Sequence, residues 1–138
     1  MSNAQVQWRM KILQPEKTLG SLPGIATLSE RNLAVLVGIE PELYLSELKI
    51  MRQNAKDAAS ALLEESGMGR LVDQLPLHKG AQIVAFGDSL TADPQSWAVI
   101  LAEVLAARRP QDALSVAINA VPGETTTHGL VRIGETLS

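Results

Sequence analysis

Apolar positions change their period near the middle of the chain, where Leu75-Pro76-Leu77-His78-Lys79-Gly80 interrupts a helical pattern and precedes a strand-like run. Upstream, Tyr44, Leu48, Met51, Ala55, Ala58 and Leu62 recur at spacings of four and three. That spacing puts them on one helical face, with Lys49, Arg52, Lys56 and Asp57 elsewhere. Glu40-Pro41 predicts the start of this helix, since proline suits a first helical position. Just before it, Thr27-Leu28-Ser29-Glu30 fits a capping box that opens a shorter helix, and Gly38 closes that helix.

Downstream, residues 82–86 form a nearly continuous apolar run ending at Gly87-Asp88, the pattern of a strand buried on both faces. Asp93-Pro94 reads as an N-cap and first-turn pair, and the Ala-, Leu- and Val-rich residues 95–109 as a helix stopped by Pro110. Residues 114–118 are a second strand and 119–124 a loop. Residues 125–137 are an amphipathic helix with Leu130, Ile133 and Leu137 on its apolar face. Thr125, Thr126 and Thr127 cap it. The chain thus divides into an irregular segment (1–26), a helical segment (27–78) and an α/β segment (79–138). Strand, helix, strand, helix implies parallel strands with right-handed crossovers, and ligands in such sheets bind where loops leave the carboxyl ends of the strands.

A length of 138 residues suits one domain, or one domain with a helical extension. Hydrophobic residues make up 46% of the chain, yet Trp8, Tyr44, Phe86 and Trp97 are its only aromatics, so the core must be aliphatic. The formal charge of -3, without a dense Lys or Arg block, removes the term that supplies most nucleic-acid affinity. With no cysteine, a disulfide framework, a thiolate zinc site and a cysteine nucleophile are excluded, and covalent chemistry falls to Ser or Thr. The first ten residues lack a leader pattern, and no run reaches the ~18 apolar residues of a membrane span. A cytoplasmic protein with no membrane partner is expected. Ser2-Asn3-Ala4 also fits a vector-derived remnant.

The segment Ile83-Val84-Ala85-Phe86-Gly87-Asp88-Ser89-Leu90-Thr91, then Trp97, then Pro122-Gly123-Glu124-Thr125-Thr126, resembles the SGNH (GDSL-type) serine ester hydrolases over roughly the last sixty residues. The resemblance implies an α/β, flavodoxin-like, three-layer parallel sheet, here as its first βαβα half after a helical N-terminal segment. It also implies a small-molecule ester substrate, with neither metal nor organic cofactor. Ser89 matches the family's nucleophile, and Gly123 matches the glycine whose backbone N–H joins that of Ser89 in the oxyanion hole. Gly87 and Asp88 form the supporting turn. The chemistry fits these residue types: a hydroxyl attacks a carbonyl, and preorganised N–H groups hold the oxyanion, each donor worth about 10²- to 10³-fold in rate.

Ala120 stands where the family has another glycine, and Asn119 falls one place late. The family's G-x-N-D and D-x-x-H blocks do not occur, and the histidines are His78 and His128 alone. The remaining sheet and base are expected beyond Ser138, as in an N-terminal fragment or remnant. Asp88 adjoins Ser89 too closely to orient a base upon it and is expected to brace the turn. His128 would be the stand-in base, but a histidine on a helix is expected at the surface or partly packed instead. Trp97, with Ile100, Leu101 and Val104, is expected to pack on the sheet or border the pocket.

Two other functions compete. Residues 33–39 and the helix after them partly match a DNA-binding helix-turn-helix, but Glu40-Pro41-Glu42 would turn carboxylates toward phosphate and Glu47 falls at an apolar position. Alternatively, the stripe from Tyr44 to Leu62 makes residues 41–65 a cap or a homo-oligomer contact.

Overall fold

The computed structural model describes residues 1–136. Regular structure begins at once rather than after residue 26. Ser2 Oγ accepts the Gln5 N–H at 3.3 Å and Gln5 Oε1 accepts the Ser2 N–H at 2.9 Å, a reciprocal cap that opens α1 (Asn3–Leu13). Only Val6 and Met10 are buried on α1, a stripe too thin to announce a helix in the sequence. Gln14, at φ 27°, turns the chain into the short α2 (Pro15–Thr18), and a 3-10 turn follows at Ile25–Thr27.

Ser29, not Thr27, caps α3 (Glu30–Leu36), its Oγ accepting the Asn32 N–H at 3.3 Å. Thr27 is held back in the 3-10 turn, where its hydroxyl donates to the Gly24 carbonyl at 3.1 Å, so the expected box does not form. Gly38 closes α3 with φ 69°. Its N–H reaches the Val35 carbonyl at 3.0 Å and that of Ile39 reaches Ala34 at 2.9 Å, the bond pair of a Schellman motif.

Next comes α4 (Pro41–Glu64), capped by Glu40 through the Leu43 N–H at 2.9 Å. Its buried series is Glu47, Met51, Ala55 and Ala59, so the covered face is rotated slightly from the expected stripe and Leu62 is exposed. Glu47 is accommodated by the Gln7 amide, which donates to Oε2 at 2.7 Å. Met51 packs with Val6, Met10, Val37 and Ile39. About two turns further on, Ala59 packs with Val72 of α5 (Met68–Asp73) and with the α/β part. The long helix therefore serves both halves, and the centre of its apolar stripe is covered within the chain.

β1 (Gln82–Gly87), α6 (Ser89–Ala92), α7 (Trp97–Arg108), β2 (Ser115–Ala120) and α8 (Thr126–Thr136) complete the order, an α/β arrangement behind a helical N-terminal part. Leu137, expected in the last helix, lies outside the described residues. The strands pair in parallel, from Gln82 opposite Ser115 to Gly87 opposite Ala120. Successive side chains alternate across a strand. Ile83 and Val116 meet Ile100, Leu101, Val104 and Leu105 of α7, while Phe86 on the opposite face meets α8 at Gly129. Val84 remains 37% exposed, so β1 is not buried on both faces as its apolar run suggested.

Three further expectations change. α7 begins after Ser96, whose Oγ accepts the Val99 N–H at 3.4 Å. Asp93 instead accepts the Gln95 N–H at 2.7 Å, which consumes the carboxylate in the turn. Trp97 is 53% exposed and does not pack on the sheet. On α8, Leu130 is 69% exposed and Ile133 40%, because Gly129, Arg132 and Thr136 take the sheet-facing side. No helix among the described residues is long and apolar enough to cross a membrane.

Candidate functional site

Strand pairing decides what stands beside Ser89. Gly87 lies opposite Ala120 and accepts the Val121 N–H at 3.2 Å, so the two chains leave the sheet side by side. After β1, Asp88 caps α6: Oδ1 accepts the Leu90 N–H at 3.0 Å, and its carbonyl accepts those of Thr91 at 3.1 Å and Ala92 at 2.9 Å. The carboxylate thus holds the turn. Gly87 cannot bear a side chain, since a Cβ would come 2.9 Å from the Thr91 Cβ and nearer still to its Oγ1. Thr91 is fixed there by burial and by the Trp97 indole, which donates to Oγ1 at 3.2 Å.

After β2, residues 121–124 make a turn closed by the Glu124 N–H on the Val121 carbonyl at 3.3 Å. Pro122 at the second position and Gly123 at φ 81° at the third are what a type II turn requires. Among the described residues, the N–H groups of Ser89 and Gly123 and the Ser89 hydroxyl make no hydrogen bond within the chain. These donors are free to serve a ligand.

Arg132 holds this second turn. Its Nε donates to Glu124 Oε1 at 2.9 Å and Nη2 to Oε2, while Nη1 donates to the Asn119 side-chain oxygen. The guanidinium also lies 4.5 Å from the Phe86 ring centroid, and Asn119 Nδ2 donates to Thr136 Oγ1 at 2.6 Å. One side chain therefore ties the turn at 121–124 to Asn119, which lies in β2 rather than in the expected loop, and to the strand that leads to Ser89. Arg132 does not stand out in the apolar pattern of the sequence. Its signal was the helical spacing Gly129, Arg132, Thr136, a polar face that the more obvious Leu130 and Ile133 obscured.

Two cavities open here. The first, about 390 Å³, is lined by Phe86, Gly87, Asp88 and Thr91 on the β1 side and by Glu124 to Thr126 and α8 on the other. The second, about 510 Å³, is lined by Gly123, Glu124, His128 and Arg132 among others. Ser89 is half-buried and lines neither, although Asp88 and Thr91 on either side of it line the first. The two turns are brought together, but the hydroxyl at 89 and the amide at 123 do not share a cavity in this conformation.

Neither histidine stands at Ser89. His128 Nδ1 accepts the Thr125 N–H at 3.3 Å, a cap that needs this nitrogen unprotonated, and the ring lines the second cavity. His78 is exposed, with Nδ1 3.1 Å from the Lys79 carbonyl. The α6 turn is braced from the N-terminal side: Lys17 Nζ donates to the Ala92 carbonyl at 2.7 Å, and Lys11 pairs with Asp93 at 3.1 Å. Burial holds the Lys17 ammonium below its ordinary pKa, against the opposing pull of Glu16 and Asp93. Among the described residues, no three His, Cys, Asp or Glu side chains gather as metal ligands.

At the corner between α3 and α4, Ala34, Val37 and Ile39 are buried and Glu42 is paired to Arg31 at 2.6 Å. Comparison with protein-family models, characterised proteins and solved structures finds no match to this chain.

Proposed function

We propose that the chain cleaves small-molecule carboxylic esters at the junction of these two turns, as the opening portion of an SGNH-type site in a flavodoxin-like sheet. Ser89 Oγ adds to the ester carbonyl, and the N–H groups of Ser89 and Gly123 donate to the oxyanion. The alcohol then leaves with a proton, and water releases the acid from the acyl-enzyme. The observation that carries this proposal is the parallel pairing that ends with Gly87 opposite Ala120, which sets the two turns side by side. The unengaged N–H groups of Ser89 and Gly123 add to it. With neither histidine at Ser89, turnover is expected to fall about 10²- to 10⁴-fold short of a site with a positioned base.

A fluorophosphonate probe tests the nucleophile directly. One adduct is expected by intact mass, mapping to Ser89 and absent from Ser89→Ala with an unchanged circular dichroism spectrum. Adduct formation that persists in Ser89→Ala, or no adduct after prolonged exposure, would overturn the proposal.

A further inference from the structure

We propose that the first cavity is a binding site for a short aliphatic ammonium ion. The inference stands apart from the ester chemistry, because Ser89 does not line this cavity. A volume of about 390 Å³ falls in the range of small-ligand sites. Its lining brings Phe86 and the exposed Leu130 and Ile133 together, apolar surface that an alkyl chain would remove from water.

Charge selects the head group. Asp88 and Glu124 are the charged residues of the lining, and no Lys, Arg or His belongs to it. Glu124 is already neutralised by Arg132. Asp88 has one backbone N–H on Oδ1 and, among the described residues, no cation in ion-pair range. Thr125 and Thr126 add hydroxyl oxygens. An ammonium carries three donors and no acceptor, which matches these acceptors, whereas a carboxylate would meet the uncompensated charge of Asp88.

Titration of the full chain with hexylammonium, hexanol and hexanoate, followed by NMR, tests this. Hexylammonium is expected to shift Phe86, Thr126 and Leu130, and to bind up to about fivefold more tightly than hexanol, the scale of an exposed ion pair. Hexanoate should bind most weakly. Shortening the amine to butylammonium should weaken binding by up to about fourfold per methylene. Asp88→Asn keeps an acceptor for the Leu90 N–H and removes the charge, so it should bring hexylammonium to the level of hexanol. Ile133→Trp fills the cavity and should abolish the shifts.

Hexanoate binding as tightly as hexylammonium would overturn the proposal, as would a preference that survives Asp88→Asn, or shifts confined to other residues. So would no binding by any of the three. None of these outcomes depends on the fluorophosphonate result.

Discussion

The two faces of the small sheet are built on different physics. On one, Ile83 and Val116 meet Ile100, Leu101, Val104 and Leu105 in an aliphatic contact that excludes water without fixing the direction of any single group. On the other, Phe86 and Asn119 meet Gly129, Arg132 and Thr136, and the contact is made by hydrogen bonds and a stacked guanidinium. Directional bonds on this second face pin the 121–124 turn to the end of β2, whereas packing on the first supports the whole sheet. Both cavities lie along the second face, where α8 shows apolar side chains to solvent and polar ones to the strands. The aliphatic face holds the fold and the polar face shapes the site.

Truncation on each face separates these roles. Leu105 is 1% exposed in the aliphatic cluster, and Leu105→Ala should cost about 2–5 kcal/mol in chemical denaturation while leaving any ligand shifts at the first cavity in place. Arg132→Met keeps the aliphatic stem but strands the Glu124 carboxylate and the Asn119 oxygen. It should cost about 1–3 kcal/mol and speed amide exchange at residues 121–124. If Arg132→Met proved the costlier change, or left exchange in that loop unaltered, the division between the faces would fail.

The smallest expected effect is none at all. Tyr44, the sole tyrosine, lies on α4 away from both faces, and burial with Glu16 and Glu30 nearby raises its pKa to about 12. A folded pKa above the unfolded value near 10 means a stabilising contribution complete below pH 10 and lost as pH rises through about 12. Its phenolate absorbance should therefore titrate near 12 in the native protein and in Arg132→Met alike. A lower midpoint in the variant would mean that the loss spreads along α4.

Much of this architecture was readable from residue pattern. Pro41 and Gly38 marked real helix ends because each answers a backbone need met at one position, and the apolar run 82–86 announced a strand. The Gly87-Asp88 turn was visible for the same reason, since its requirements are local. What escaped depended on partners distant in sequence. Two apolar positions, Val6 and Met10, could not reveal α1, which is held by Val37, Ile39 and Met51. Trp97 looked like a core residue, but its indole is drawn to Thr91, a group whose place is set by Gly87. Leu130 and Ile133 had the spacing of a buried stripe, yet Glu124 and Asn119 demanded that Arg132 face the sheet instead. Periodicity records which side chains resist water, not which polar groups already wait on the opposing surface.

The central claim is that the turns after β1 and β2 converge on one ligand oxygen. It is tested most directly by comparing ¹H–¹⁵N spectra of the free protein and of its covalent fluorophosphonate adduct. The amides of Ser89 and Gly123 should both move downfield as they donate to the phosphonyl oxygen, with residues of the aliphatic face unmoved. An adduct on Ser89 that leaves the Gly123 amide where it was would contradict the account.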